Sequence, residues 1–496
     1  MATLAVPMTS TQAAIAPASW AYPNGTLANT RNATTSTIDL ANVTRLKESW
    51  SFDLSGKATA SVGGYGTLAA NPIIRDGVVY MQDLSSNVYA LSFSTGRLLW
   101  EHVFNKPELS GPGPNGVAVA NNMVYGETPT VAFALNARNG KVVWSDNHLL
   151  KKGQGTFGIQ PQATNGLVFL ASQYGSAPGG GILVALNAST GRKLWSFKTM
   201  TGPDPGVQAL GLGAGGAWET PLVSSNGTVT FGIGNPYQTI GEAYAQPARL
   251  LYSDSDVTLN ARTGELRWFY QGVENDFKDF DMQASPIATT VNGTSVVIGG
   301  GKMGDVYEMN ASTGALLWKT AVGKHNGDDS QSLDALEHKE KLKLPFTILP
   351  GSFGGILTNM AYANGTIYAA TINLPLEYTK ASQVTGQPPS GTFTYGGAMV
   401  ALNAATGAIE WSTRLNGIPT GAATVSNDLV FTALVNGRLI ACNRATGAIV
   451  LNMKLPRTMN STLAIAGNTI IVPVGGPVPK GSTAKSQIVA YTVPPT

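Results

Sequence analysis

The chain has 496 residues with a net charge of +3, and charged side chains make up only 12% of it. No run approaches 18 consecutive apolar residues, so the sequence predicts no membrane-spanning helix. Lysine and arginine form no block, which argues against a nucleic-acid partner. The single cysteine, Cys442, excludes an internal disulfide, a CxxC zinc site and a CxxCH haem site.

The scarcity of ionisable groups leaves Asn, Thr, Ser, Gln and Gly to cover the surface. Acid unfolds proteins by protonating paired carboxylates and by building up positive charge, and a charge-poor chain avoids both effects. Acid tolerance is one interpretation of this composition, and a secreted protein without that adaptation is the other. The small, uncharged residues at 1–19 favour a periplasmic or extracellular location.

One unit recurs along the chain: a short strand, a turn that ends in Gly, and a Trp four residues later. Alternating residues predict the strands, and the turn Gly adopts a positive φ without Cβ strain. The seven units are VYALSFSTGRLLW (88–100), FALNARNGKVVW (133–144), VALNASTGRKLW (184–195), VTLNARTGELRW (257–268), VYEMNASTGALLW (306–318), VALNAATGAIEW (400–411) and IACNRATGAIVLN (440–452), the last with Leu451 in place of Trp.

A further strand pair lies upstream of most units, as in residues 72–83, so each repeat contains about four strands. Four-stranded repeats are the blades of a β-propeller. An eighth blade is expected from residues 462–476 and 486–493 together with residues 45–52. The sequence therefore predicts an all-β, eight-bladed β-propeller that is closed by pairing of its N- and C-terminal strands.

The predicted organisation is an N-terminal extension at residues 1–40 followed by a single propeller domain at 41–496. Two long gaps between repeats predict loop insertions around 196–256 and 319–400, and long loops on a rigid scaffold often carry function. Seven of the nine tryptophans belong to the blade pattern, and we expect them to pack between neighbouring blades. Trp20 and Trp218 are the exceptions.

These repeats resemble the tryptophan-docking blades of the pyrroloquinoline quinone (PQQ) dehydrogenases, over residues 45–493. The resemblance is strongest at GIGNPYQ (232–238) and at residues 250–281. It extends to GKMGDVYEMN (301–310), where Lys302 matches the family's PQQ-binding lysine, and to LPGSFGGILTNMAY (349–362), which resembles the loop over the quinone.

The sequence also departs from that family. Residues 110–122 lack the adjacent cysteine pair, and residues 171–181 contain no carboxylate where the calcium-binding glutamate is expected. Arg249 stands near the expected place of the catalytic aspartate, and the single amide of Asn235 is too little for Ca²⁺, which takes six to eight oxygen ligands. These departures predict a propeller that works without quinone or metal.

A cavity with two cations and no metal cage favours an anionic substrate. A second branch of PQQ-like propellers, the tetrathionate hydrolases of acidophilic sulfur oxidisers, is similar in its propeller and in its lack of quinone chemistry. The resemblance implies a tetrathionate hydrolase without a cofactor. We expect Asp305 to be the general acid or base, and the substrate-binding residues to be Lys302, Arg249, Trp218, Asn235 and Asn359.

For Lys302 and Asp305 to share the cavity, we expect Gly304 to form a bulge between them. The stretch NDFKDFD (275–281) offers three more carboxylates, which favour a structural loop over a metal site. Two alternatives stay open: a PQQ- and calcium-dependent alcohol dehydrogenase with a divergent site, and a non-catalytic propeller scaffold. The sequence leaves open whether the protein is a homodimer.

Overall fold

A computed structural model describes residues 18–54, 66–104, 116–173, 180–200, 214–245, 249–327, 344–389, 396–477 and 485–495. In these ranges the strands form eight four-stranded antiparallel sheets, which confirms the predicted eight-bladed propeller. Parts of several predicted features lie outside the described residues, among them residues 110–115 of the stretch that lacks the cysteine pair and portions of the two long insertions.

The first strand, β1 (Lys47–Asp53), is the outer strand of the last blade. The first three complete blades in chain order contain β2 (Ile73–Arg75), β3 (Val78–Gln82), β4 (Val88–Ser92) and β5 (Leu98–His102); β6 (Ala118–Ala120), β7 (Met123–Glu127), β8 (Ala132–Asn136) and β9 (Val142–Asp146); and β10 (Gln162–Thr164), β11 (Leu167–Ala171), β12 (Ile182–Asn187) and β13 (Lys193–Lys198).

The next three blades are separated by longer connections, one of which contains a small two-stranded sheet, β22 with β25. Their strands are β14 (Leu222–Val223), β15 (Thr228–Gly232), β16 (Ser255–Asn260) and β17 (Leu266–Gln271); β18 (Ile287–Val291), β19 (Thr294–Gly300), β20 (Asp305–Asn310) and β21 (Leu316–Ala321); then β22 (Phe346–Ile348), β23 (Ala361–Ala363), β24 (Thr366–Ile372), β25 (Leu376–Tyr378), β26 (Gly397–Asn403) and β27 (Ile409–Leu415).

The last two blades complete the ring. Their strands are β28 (Thr424–Ser426), β29 (Leu429–Leu434), β30 (Arg438–Asn443) and β31 (Ile449–Lys454), followed by β32 (Ala464–Ala466), β33 (Thr469–Val474) and β34 (Gln487–Thr492). β34 pairs with β1, so the two ends of the chain share one blade as the sequence predicted. This closure leaves the ring without an unpaired seam.

The burial of each strand follows its place in the blade. All six residues of β33 are buried, because neighbouring blades cover both faces of the inner strands. The outer strand β31 contains no buried residue. The described residues contain one α-helix, α1 (Ile240–Ala245), and one 3-10 helix at Val43–Arg45, and no described helix is long and apolar enough to cross a membrane.

The blade tryptophans pack as predicted. Trp268 donates a hydrogen bond from Nε1 to the carbonyl of Ala311 in the next blade at 2.9 Å. Its ring covers Gly314, which has a φ of +71° and leaves a Cβ only 2.6 Å from the indole. The same pairing of Trp with the next blade's Gly is found at Trp50 and Gly96, Trp100 and Gly140, Trp144 and Gly191, Trp195 and Gly264, Trp318 and Gly407, and Trp411 and Gly447.

Residues 18–38, which belong to the predicted N-terminal extension, run along the inner strands of the propeller. Trp20 forms a β-bridge with Ile74 of β2, and Arg31 is hydrogen bonded through its carbonyl to Val425 of β28. Between them the segment contacts three further blades by backbone hydrogen bonds, which involve Val223, Ala288 and Tyr362. The segment from residue 18 to 38 therefore ties together blades that are far apart in sequence.

Candidate functional site

A cavity of about 220 Å³ is formed by loops that precede or connect the inner strands of several blades. Lys302 and Asp279 contribute charge to its lining, and Phe353 and Leu357 contribute apolar surface. The other lining residues come from seven stretches of chain: Ala69; Trp218 and Glu219; Tyr237; Gln283; Thr358 and Asn359; Thr420; and Asn460 and Thr462. The cavity therefore combines an aromatic side with a side rich in amides and hydroxyls.

Lys302 is the centre of a buried ionic cluster. Its Nζ forms an ion pair with Asp281 Oδ2 and lies 3.8 Å from Asp279 Oδ1. The same ammonium lies 6.0 Å from the centroid of the Trp218 ring and 5.9 Å from that of Phe353. An ammonium at such distances is attracted by the ring faces, and the attraction strengthens where water is excluded. Both carboxylates and two aromatic rings therefore fix the position of this lysine.

Asn235 joins the two carboxylates from the opposite side. Its Nδ2 donates to Asp279 Oδ1 at 2.8 Å and to Asp281 Oδ1 at 3.0 Å, and its backbone N–H also donates to Asp281 Oδ1. The preceding residue is Gly234, where a Cβ would lie 2.5 Å from Asp281 Oδ1. The glycine of the GNP motif is needed there because the carboxylate packs directly against the backbone.

Burial dominates the electrostatics of the cluster. Desolvation raises the pKa of Asp279 to about 6, and the charge of Lys302 opposes that rise. Desolvation also raises the pKa of Asp281, again against the effect of Lys302. A lysine shared by two buried carboxyls therefore keeps them ionised to a lower pH than burial alone allows.

Tyr237 and Asn359 complete the polar lining near this cluster. Tyr237 adopts a φ of +52°, which is uncommon for a bulky residue, and its N–H donates to Asn235 Oδ1 at 2.7 Å. Asn359 Nδ2 donates to Glu219 Oε2 at 2.9 Å, while its Oδ1 accepts from the backbone of Ser285. Trp218 Nε1 donates to Gln283 Oε1 at 3.0 Å, which fixes the indole plane.

The structure brings together four of the six residues predicted from the sequence. Lys302, Trp218 and Asn359 line the cavity, and Asn235 supports its carboxylates. Arg249 does not line it: its guanidinium is 3.5 Å from Glu274 and donates to Gln271, with the side chain 47% exposed.

Asp305 also lies outside the cavity, so the expected bulge does not bring it there. Gly304 has a φ of +77° and closes a turn by donating to Gly301, and Asp305 then begins β20. The Asp305 carboxylate accepts from the Tyr307 hydroxyl at 3.1 Å and lies 3.4 Å from Lys319 of the outer strand β21. The turn therefore points Lys302 and Asp305 to different partners.

Asp279 and Asp281, which the sequence analysis assigned to a structural loop, are the carboxylates of the site. Only Asp276 of that stretch fits the structural interpretation, because its two oxygens accept the backbone N–H groups of Lys278 and Phe280. The spacing of Asp279 and Asp281 was visible in the sequence. Their partnership with Asn235 and Lys302 was not, because those residues are 44 and 23 positions away from Asp279.

The residues around the cavity fit a planar, polyanionic quinone and a hard cation. A flat indole face, an ammonium and several amide and hydroxyl donors suit a quinone carboxylate. Carboxylates and amide oxygens are the donors that Ca²⁺ prefers. The backbone carbonyl of Gln173 packs against Gly216, two residues before Trp218. The side-chain Oε1 of Gln173 is buried and lacks a hydrogen-bond partner among the described residues. Three-membered groups of His, Cys, Asp or Glu at metal-binding geometry are absent from the described ranges.

Two models of known families match parts of the chain. The family model for the glucose/ethanol/alcohol dehydrogenase β-propeller domain matches residues 20–121 and 161–324, more than half of the chain. A model of the outer membrane protein assembly factor BamB matches residues 395–492.

Among curated proteins, the quinoprotein alcohol dehydrogenase PedH of Pseudomonas putida is 29% identical over 277 residues, which are 50% of this chain and 45% of that protein. Lupanine 17-hydroxylase [cytochrome c] of Pseudomonas sp. is 27% identical over 473 residues, which are 83% and 66% of the two chains. The chain thus spans between about half and two thirds of the length of these relatives.

Solved structures show the same fold. The quinohemoprotein alcohol dehydrogenase of Comamonas testosteroni superposes with a TM-score of 0.79 at 21% identity, covering 98% of this chain and 83% of that one. A europium-containing methanol dehydrogenase gives a TM-score of 0.78 at 20% identity, covering 96% and 98%. BamB from Moraxella catarrhalis gives 0.55 at 12% identity, covering 90% of this chain and 97% of that one.

These findings overturn two of the sequence predictions. The relatives are quinoprotein alcohol dehydrogenases and related enzymes, which contradicts the prediction of a tetrathionate hydrolase. The prediction that no cofactor is needed is also wrong, since similar proteins include a quinoprotein and a quinohemoprotein alcohol dehydrogenase and the cavity lining contains side chains that fit a quinone. That prediction rested on Arg249 and Asn235, and it assigned Asp279 and Asp281, the carboxylates beside Lys302, to a structural loop. The chain belongs to the family of the glucose/ethanol/alcohol dehydrogenase β-propeller domain.

Proposed function

We propose that the protein is a PQQ-dependent dehydrogenase that oxidises an alcohol, with a bound divalent or trivalent cation. The observation that carries this proposal is the buried cluster of Lys302, Asp279, Asp281 and Asn235 beside the face of Trp218. Family membership and the alcohol dehydrogenases among the relatives support it.

Trp218 would hold the quinone by its flat face, and Lys302 would hold it by charge-assisted hydrogen bonds. Asp281 and Asn235 would bind the cation through oxygen atoms. When bound, the quinone supplies the two-electron acceptor and the cation polarises it. The remaining requirements of the reaction are the positions and the protonation states of the protein's own side chains.

Asp279 is the group proposed to take the hydroxyl proton of the alcohol. Its carboxylate lines the cavity, and Asn235 Nδ2 orients Oδ1 by a hydrogen bond of 2.8 Å. Burial makes the carboxylate a stronger base, because desolvation raises its pKa to about 6. Lys302 keeps it ionised near neutral pH, so a proton acceptor is ready when the substrate arrives.

Apolar side chains on the same cavity would exclude water from the reacting atoms. Phe353 and Leu357 form this surface, and Phe353 covers the ammonium of Lys302. Removing water strengthens the electrostatic interactions among Lys302, Asp279 and a bound anion. The protein is further proposed to work outside the cytoplasm, as expected from its composition, and to pass electrons to an acceptor outside the described site.

Reconstitution tests this function. The purified chain is incubated with PQQ and either Ca²⁺ or a lanthanide, and quinone binding is followed by absorbance before ethanol and a dye acceptor are added. We expect dye reduction that depends on PQQ, on the cation and on the alcohol. Failure to bind PQQ with every cation would reject the proposal.

Asp279→Asn separates binding from chemistry. We expect this variant to bind PQQ and to lose at least about 100-fold in dye reduction, the usual contribution of a positioned general base. Asp428→Asn changes an exposed carboxylate far from the cluster and is the matched control, for which we expect wild-type activity. Equal activity in Asp279→Asn and Asp428→Asn would rule out Asp279 as the base.

A further inference from the structure

Glu219 is a second carboxyl on the cavity, and nothing in the proposed reaction uses it. It follows Trp218 in the loop before β14, whereas Asp279 comes from the connection between β17 and β18. Glu219 lines the cavity and keeps part of its surface accessible, so that surface faces the space where a ligand would bind. Its position therefore gives it access to a bound molecule from a different side of the cavity.

The hydrogen bonding of Glu219 would do little to stabilise a negative charge on its carboxylate. Asn359 Nδ2 donates to Oε2 at 2.9 Å, and Asn359 is a neutral amide. The positive charge of Arg31 acts on Glu219 and lowers its pKa. The Arg31 guanidinium donates its hydrogen bonds to other residues, namely Asn24, Asn71, Ala423, Thr424 and Leu463. Within the described ranges no ion pair below 4.0 Å joins Glu219 to a basic side chain.

We propose that Glu219 acts as a general acid toward the molecule bound in the cavity. The Oε–H bond breaks, its electron pair stays on the carboxylate, and the proton moves to an oxygen of the bound molecule. Solvent that enters the cavity then returns the proton. This inference rests on the proposed function only for the identity of that molecule.

The electrostatic environment agrees with this assignment. Burial raises the pKa of Glu219 to about 7, while the hydrogen bond from Asn359 and the charge of Arg31 oppose the rise. The charged groups that share the cavity with Glu219 are Lys302 and Asp279, and these two form an ion pair with each other at 3.8 Å. Burial of a carboxyl with a single neutral donor favours its protonated form.

The experiment measures the proton on Glu219 itself, in the protein without added PQQ. Infrared difference spectra are recorded between pH 5 and 9 for the wild type and for Glu219→Gln, which preserves an oxygen for Asn359. We expect the variant to lose one carboxylic acid band that disappears in the wild type as pH rises through about 7. Glu308→Gln is the matched control, since burial also raises the pKa of Glu308 to about 7 and Glu308 does not line the cavity.

The PQQ-loaded enzyme provides the second readout. A general acid must be protonated, so we expect activity of the wild type to fall about tenfold per pH unit above the pKa of Glu219. That fall should be absent in Glu219→Gln and retained in Glu308→Gln. If Glu219→Gln keeps the wild-type infrared titration or the wild-type falling limb, the inference is wrong.

A third variant covers failure of Glu219→Gln to fold. Asn359→Ser removes the amide donor to Oε2, so the infrared band of Glu219 should then disappear at a higher pH than in the wild type. An unchanged titration in this variant would also contradict the inference. The proposed function fails by a different result, the absence of PQQ binding, which leaves the infrared titration interpretable.

Discussion

Lys302 and Asp281 form a buried ion pair on the wall of the cavity, and the Lys302 side chain is 9% exposed while that of Asp281 is fully buried. Lys302 matches the lysine expected from the sequence, and Asp281 lies in an acidic stretch that the sequence analysis assigned to a structural loop. Burying both charges together avoids leaving either one without a counter-charge, which would be the costlier state.

Replacing Lys302 by Met should destabilise the protein by about 3 kcal/mol at pH 8, because it leaves two buried carboxylates without their cation. Lys302 lowers the pKa values of Asp279 and Asp281, so the variant carboxyls should protonate at a higher pH. The loss should therefore be smaller at pH 5 than at pH 8, because protonation of the carboxyls removes the uncompensated charge. Urea unfolding at the two pH values measures this difference, and an equal loss at both would contradict the interpretation.

Stability of the wild type should fall as pH rises from about 5 to 8. Burial raises the pKa of Asp256 well above its usual range, and neither carboxylate oxygen has a hydrogen-bond partner among the described residues. A group whose folded pKa is raised stabilises the protein below its unfolded pKa and loses that contribution as pH rises through the folded value. Burial acts in the same direction on Asp83, whose pKa rises to about 6, and on Glu308, whose pKa rises to about 7.

Asp256→Asn tests this explanation, because it removes the titrating group with little change of shape. We expect a smaller decline in the free energy of unfolding between pH 5 and 8 than in the wild type. Asp76→Asn replaces a carboxylate whose side chain is 88% exposed and is the control, which should keep the wild-type slope. A slope shared by all three proteins would refute the role of Asp256.

Gly314→Ala should cost more stability than Gly293→Ala. Both glycines have positive φ, but a Cβ at Gly314 would lie 2.6 Å from the Trp268 ring, whereas at Gly293 nothing lies within 4 Å. We expect about 1 kcal/mol for the backbone conformation in both and a further 1–3 kcal/mol of overpacking at Gly314. Chemical unfolding measures both, and equal losses would show that the tryptophan accommodates the methyl group.

Replacing Arg31 by Lys should destabilise the protein. The guanidinium makes five hydrogen bonds that reach residues of three blades and of the N-terminal segment, and a lysine has a single nitrogen with three donors. Removing one partner of a buried, hydrogen-bonded charge typically costs about 3 kcal/mol. Thermal and urea unfolding would measure the loss. An Arg31→Lys protein as stable as the wild type would show that these hydrogen bonds contribute little.

The repeats determined the fold without help from tertiary structure, because each blade is a local unit. The glycine turn and the Trp four residues later fix one blade and its contact with the next, as at Trp268 and Gly314. Local spacing carries all the information that such a unit needs. The sharing of one blade by β1 and β34 followed from counting the strands that remained.

The site was decided by tertiary structure, because its residues come from loops of different blades. Asn235, Asp279, Asp281 and Lys302 meet only when two neighbouring blades pack together, and local spacing gives no measure of that distance. The sequence therefore named Lys302 and Asn235 but misjudged Arg249 and Asp305, whose neighbours are set by β-strand geometry and outer-strand partners. The chemical role of a charged loop residue depends on the groups that surround it in the folded protein. Burial and neighbouring charges set its pKa, so they determine that role as much as the residue type does.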